Sequence, residues 1–319
     1  MIFFITFLRA LATCFITNAH YTGIYPTDII ANGGLIGDVL FFAVSGYCLF
    51  NVKNELSFAG FACWYGKRIL RVYPPVIIIT IVFRLFGAYN LSDHNLFWWY
   101  VYPTYYHFVG SIIVLYIPFF FMMKIDWVKK RIPLVMLIIA AIWFAVYFTI
   151  YDYSYYHIDN VWEPMIRFLF MESMLLGAWF RKNDRKLRNK FKPLYPIATV
   201  IVFFVYFVSK LLLSREAYLS SCQFLNQIII FILLWFMFRT FCGLDDKLEK
   251  MPFGLKKAVQ FIADMTLEIY VVQYVLIDLV RSWGLFFPLN WFFLTVTIIV
   301  CAYILHKNCR FIYGLKSNY

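Results

Sequence analysis

Apolar residues run along this chain in long blocks separated by short polar interruptions. As helices, these blocks are each long enough to cross a hydrocarbon layer of about 30 Å. The pattern predicts about ten spans, near 2–19, 34–50, 74–90, 106–123, 132–150, 164–180, 194–213, 223–241, 259–280 and 287–305. Pro74-Pro75, Pro133, Pro164, Pro193 and Pro288 are expected at or near helix starts, where a missing N–H costs little. Trp98-Trp99-Tyr100 and the tyrosines between Tyr151 and Tyr156 fit interfacial belts. Ser45-Gly46 in the second block would let another helix backbone approach closely. No stretch remains for a soluble domain, so the expected fold class is all-α: one polytopic membrane domain over residues 1–319.

Composition agrees with that pattern. Of 319 residues, 63% are hydrophobic and 14% charged, whereas a soluble domain carries about 25% charged residues. Most of the 29 basic residues fall between alternate spans. Only Lys210, Arg215 and Arg281 fall in the other set of loops, and Arg9, Arg84 and Arg167 lie within spans. Basic residues stay on the cytoplasmic side, so both termini are expected inside, the loop at 152–160 outside and the loop at 181–192 inside. The same distribution accounts for the net charge of +12 through topology and anionic-lipid contact. Spread over five segments without a recognition module, it does not point to nucleic acid. The first apolar block has no preceding Lys or Arg and no small-x-small cleavage site, so it is expected to be retained rather than removed as a signal peptide. The seven cysteines imply no disulfide framework in a chain of this kind, and no Cys/His spacing suggests a metal.

Ionisable residues within the apolar blocks are the first candidates for chemistry, because such groups are costly in a bilayer. Arg9 and His20 are eleven positions apart, close to three helical turns, and so lie on one face. Arg9 has a snorkelling alternative, and His20 an interfacial one. Their shared face favours a reaction centre, completed by the second block with Asp38, Phe41, Phe42, Ser45 and Gly46. Arg68 and Arg71 are neighbours on a helix face before Tyr73-Pro74, and their guanidinium forks suit a phosphate-rich ligand. Ordinary positive-inside flanking is the competing explanation. Arg167 and Glu172, five positions apart, each need a partner from another helix or a water-filled cavity. Asp264 and Glu268 are placed on one face at four-residue spacing, Glu268 deeper and near Tyr270 and Gln273, Asp264 towards water.

These motifs, in this order, resemble the acyltransferase 3 family of membrane-bound O-acyltransferases over essentially the whole chain. The family's Arg-x10-His pattern matches Arg9 and His20. Its Phe-Phe-x-x-Ser-Gly pattern matches Phe41, Phe42, Ser45 and Gly46, and its Arg-x-x-Arg pattern with a following Tyr-Pro matches Arg68, Arg71, Tyr73 and Pro74. Two departures stand out. Gly37-Asp38-Val39 carries the acid one place from its usual position, and Gln273 stands where many members have histidine, so no second catalytic histidine is carried over. The resemblance implies transfer of an acyl group, acetyl in the first instance, from cytoplasmic acyl-CoA to a hydroxyl of a surface polysaccharide or its lipid-linked precursor. It implies His20 and Arg9 as catalytic residues. The substrate-binding set is then Arg68, Arg71, Asp38, Phe41, Phe42, Ser45, Gly46, Arg167, Glu172, Glu268 and Tyr270. Acyl-CoA is the expected co-substrate, with no permanently bound cofactor and no metal. Other expected partners are the saccharide acceptor and membrane lipids, and the expected location is the cytoplasmic membrane. The alternative is a glycan or lipid transporter, or flippase, in which Arg9, Arg167 and Glu172 line a polar path.

Overall fold

The apolar blocks fold as helices, and no strand occurs among the described residues. The computed structural model describes residues 2–89, 96–103, 105–162, 164–215 and 217–312. Both chain ends, Lys316 and the end of the third expected span at Asn90 lie outside them. In chain order the helices are α1 (Phe3–Ala19), α2 (Gly34–Leu49), α3 (Phe58–Leu85), α4 (His107–Met122), α5 (Asp126–Lys130), α6 (Ile132–Thr149) and α7 (Ile166–Lys182). They continue as α8 (Asp184–Leu187), α9 (Leu194–Arg215), α10 (Phe224–Gly243), α11 (Asp245–Glu249), α12 (Phe253–Asp264), α13 (Thr266–Ser282) and α14 (Leu289–Ile312). Helices α6, α9, α10 and α14 are long and apolar enough to cross a membrane, and α1, α2 and α4 are shorter apolar helices.

Two expected spans are corrected. The third does not begin at Pro74-Pro75: α3 starts sixteen residues earlier at Phe58, where the Ser57 hydroxyl caps it by accepting from Gly60 N at 3.0 Å. Both prolines sit inside the helix, where each removes one backbone donor. Membrane helices tolerate this when neighbours satisfy the freed carbonyls. The ninth expected span is two helices, α12 and α13, parted at Met265. There the Thr266 hydroxyl donates to the Ala263 carbonyl at 2.9 Å across the break. Asp264 and Glu268 therefore fall on either side of a break and share no helix face. Their depths do differ as expected: Asp264 is exposed and accepts from Gln260, while Glu268 is buried.

The chain packs as two compact units, each assembled from three separate stretches. One comprises Met1–Arg9, Asp38–Lys53 and Pro118–Lys257. Within it α2 and α7 cross on glycines. A Cβ added at Gly46 would lie 1.9 Å from the Met174 carbonyl oxygen, and one added at Gly177 would lie 1.8 Å from that of Ala43. This is the close approach expected of Ser45-Gly46. Phe42 stacks on Phe170 at 4.3 Å beside the crossing. Past it, the Tyr47 hydroxyl donates to Asp184 at 2.8 Å.

At that end of the unit Asp245 accepts from Phe4 N at 2.7 Å, so its carboxylate caps the first turn of α1. Arg188 pairs with Asp184 and Asp245 at 3.5 and 3.7 Å. At the other end the Gln223 carbonyl accepts from His157 N and Ile158 N, and its amide donates to Tyr155 O. Lys210 pairs with Asp159 at 2.6 Å. Helix α7 joins these two polar ends, so the 152–160 and 181–192 loops lie at opposite ends of the unit.

The second unit comprises Ala10–Gly37, Asn54–Ile117 and Ala258–Tyr319. In it α1 and α13 run parallel, with Thr13 donating to Thr266 at 3.0 Å, His20 meeting Tyr274, and Arg281 lying against Gly23. Helix α14 runs antiparallel to both, His306 reaching Glu268 and Thr295 reaching Tyr21. The segment after α1 is tied down at several points. Asn18 donates to the Ile30 and Asn32 carbonyls and accepts from Tyr25, and Asn290 donates to the Ile24 carbonyl.

Candidate active site

His20 is the first residue past α1, and its backbone N–H donates to the Thr17 carbonyl at 3.1 Å. Its Nδ1 lies 2.9 Å from the Ile16 carbonyl. A carbonyl can only accept, so Nδ1 carries the proton and the Nε2 lone pair is the basic position. Nε2 therefore accepts from the Tyr274 hydroxyl at 3.2 Å, and the Tyr270 hydroxyl lies 2.9 Å from that of Tyr274. Burial pushes the imidazole down to about 4, so the ring is neutral at pH 7.

An aromatic shell holds these groups. Tyr106, fully buried, lies edge-on to Tyr270 and Tyr274, and its hydroxyl is 3.0 Å from that of Tyr89 and hydrogen-bonded to Thr80 of α3. His107 stands edge-on to Tyr270 with centroids 6.2 Å apart. The chemistry available is that of a neutral base opposite a hydroxyl in a largely dry surround.

Beside this group, helices α1, α12, α13 and α14 line an open cavity of about 390 Å³, within the roughly 300–1,000 Å³ range of small-molecule sites. Leu11, Ile269 and Ile298 give it an apolar wall, and Thr13, Thr17, Asn18 and Thr295 a polar one. Thr17, Asn18 and Tyr21, which flank His20 in sequence, line it, and His20 itself does not.

The residues expected from sequence divide between the two units. His20, Tyr270, Glu268, Arg68 and Arg71 belong to the second, and the structure links Tyr270 to His20 through Tyr274. Glu268, 6% exposed, accepts from His306 Nδ1 at 2.8 Å. On α3, Arg68 lies over the Trp64 ring at 5.4 Å, and its Nε has no hydrogen-bond partner among the described residues. Arg71, one turn on, is exposed. Arg9, Asp38, Phe41, Phe42, Ser45, Gly46, Arg167 and Glu172 belong to the first unit. There Phe42 and Gly46 build the contact between α2 and α7, and Asp38 is 4% exposed. Oε1 of Glu172 is buried without a hydrogen bond among the described residues.

Sequence reasoning missed Tyr274, Tyr106, His107 and His306. The four-residue spacing of Tyr270 and Tyr274 was a usable signal, since it puts two hydroxyls on one helix face. Tyr106 and His107 open the expected span 106–123, and His306 falls one residue past the expected span 287–305.

Fold and site together describe a membrane-type helical protein with a neutral histidine held against hydroxyl groups. A family model described as an acyltransferase domain, acyltransferase 3, matches residues 2–307. The chain belongs to the acyltransferase 3 family and is a transferase of acyl groups. No curated protein and no solved structure matches it.

Proposed function

We propose that this protein O-acylates a saccharide at the outer side of the cytoplasmic membrane, using acyl-CoA from the cytoplasm and acetyl as the first candidate group. The observation that carries this is the state of His20: Nδ1–H engaged by the Ile16 carbonyl, Nε2 unprotonated and already 3.2 Å from a hydroxyl. A sugar hydroxyl occupying the place of Tyr274 would give its proton to Nε2 as its oxygen attacks the thioester carbonyl. The C–S bond then breaks, the imidazolium returns the proton to the departing thiolate, and an ester remains. The same imidazole could instead take the acyl group first and pass it on.

Arg68 and Arg71 are proposed to hold donor phosphates, and the unspent Nε of Arg68 supports that role. Thr80 marks the height of the site on α3. Arg71 and Arg68 stand nine and twelve residues before it, or roughly 14 and 18 Å along the axis. The extended pantetheine arm of acyl-CoA matches such a separation. Arg9, eleven residues before His20 and so about 16 Å down α1, is proposed to orient the acyl donor. The basic-residue asymmetry supports a multi-pass topology with both termini cytoplasmic and His20 near the outer surface.

His20→Gln tests the reading, since it keeps a polar side chain but removes the base and nucleophile. The variant should insert normally and bind acetyl-CoA, while ester-linked acyl groups on the surface glycan fall by about a hundredfold or more. Near-normal glycan acylation at matched protein level would remove His20 from the mechanism. Loss of the whole glycan in cells lacking the protein would favour transport.

A further inference from the structure

Two polar groups beside the His20 site make no hydrogen bond among the described residues. One is the Thr17 hydroxyl on the cavity wall. The other is the side-chain amide of Gln273, 0% exposed, with both Nε2 and Oε1 unpartnered. Its position on α13 is informative: it lies three residues after Tyr270 and four after Ile269, on a strip shared with a site tyrosine and a cavity-wall residue. The parallel register of α1 and α13, fixed by Thr13–Thr266 and His20–Tyr274, sets it at a height between Thr17 and His20.

A buried amide with neither half satisfied forfeits the hydration of a donor and an acceptor together. The adjacent Val271 and Val272, also 0% exposed, show what the local packing otherwise selects. Leucine would fill nearly the same volume without that cost. The amide therefore matches something that enters the site.

Its chemistry narrows what enters. Phosphate or carboxylate would use the N–H and leave Oε1 bare, and an ammonium group would do the reverse. A trans secondary amide points its N–H and C=O in opposite directions and cannot meet both at once. Two neighbouring hydroxyls on a sugar ring can, one donating to Oε1 and the other accepting from Nε2.

We propose that Gln273 is the acceptor-reading residue, binding an adjacent pair of sugar hydroxyls while the hydroxyl to be acylated faces His20, with entry through the cavity at Thr17. This rests on the acyl-transfer reading above and adds the acceptor class to it: a saccharide with a vicinal diol at the acylation position.

The test uses the purified full chain, acetyl-CoA and a panel of methyl glycosides. The glycoside acylated fastest is then compared with its deoxy analogue lacking the hydroxyl next to the acylated one. Wild-type kcat/KM should fall roughly 10- to 100-fold for the analogue. Gln273→Leu should treat the two acceptors alike, with an unchanged KM for acetyl-CoA and a melting temperature no lower than wild type. Undiminished discrimination by the variant would overturn the proposal. So would a variant that melts well below wild type, because the amide would then be holding the fold together. Wild-type protein that binds acetyl-CoA but acylates no glycoside would overturn the saccharide-transfer reading, and this inference with it.

Discussion

Gly177→Ala isolates the crossing of α2 and α7. The added Cβ would lie 1.8 Å from the Ala43 carbonyl oxygen, 2.7 Å from its carbon and 2.8 Å from Tyr47 N. All three are backbone atoms, so no side-chain rotation relieves the clash, and the helices must part by roughly 1.5 Å to restore normal contact. The Phe42–Phe170 stack and the Tyr47–Asp184 hydrogen bond sit beside the crossing and would be disturbed with it. Overpacking of this kind costs about 3 kcal/mol at the upper end of its range. Replacing a helical glycine with alanine returns at most about 1 kcal/mol of propensity, so the net effect is destabilising. Thermal unfolding of the purified chain in detergent should show a drop of about 4 °C. Gly66→Ala is the matched control: it lies inside α3 with nothing within 4 Å of an added Cβ, and should be neutral or stabilising by up to about 1 kcal/mol. A Gly177→Ala protein that melts with wild type, or a Gly66→Ala protein that loses as much, would refute the reasoning.

The lowered His20 value gives a pH prediction with a definite sign: the neutral base persists as pH falls, so kcat/KM for acyl transfer should stay level from pH 8 to near 5 and drop through about 4. An acid limb near 6.5 would mean an imidazole with solution-like hydration. Arg71→Ala should raise the KM for acetyl-CoA roughly tenfold, the usual scale of a charge-assisted phosphate contact, whereas Lys53→Ala should leave it close to wild type. Equal affinities in the two variants would remove α3 from the donor site. Reporters inserted at Asp152 and at Lys190 should report opposite sides of the membrane, the second cytoplasmic; a common side would contradict the placement of these loops at opposite ends of α7.

Much of the helical frame was legible because apolar block length is a strong local signal. The bounds of α1, α2 and α6 fall within a residue or two of the pattern, and the Ser45-Gly46 crossing followed from residue size alone. The start of α3 was not legible, since a proline pair reads as an N-terminus when local sequence is the only guide. The break at Met265 has no glycine or proline to announce it; beside it Thr266 meets the Thr13 hydroxyl of α1, a contact between residues far apart in sequence. In the candidate site, His20 stood out as a polar group at the end of an apolar block. Tyr274, Tyr106 and His306 did not, because their roles come from contacts between residues far apart in sequence, and tyrosines are expected at membrane edges anyway.

Each compact unit draws on the first two helices: residues up to Arg9 and from Asp38 serve one, while those from Ala10 to Gly37 serve the other. A ribosome making this chain therefore completes neither unit early. The first waits for the stretch ending at Lys257, and the second for α14. The same braiding bears on recombination. Any single crossover between Ala10 and Lys257 would leave both units mixed from two parents, so neither unit can be exchanged whole as a cassette. Each unit has to change stretch by stretch, at three separate places along the chain.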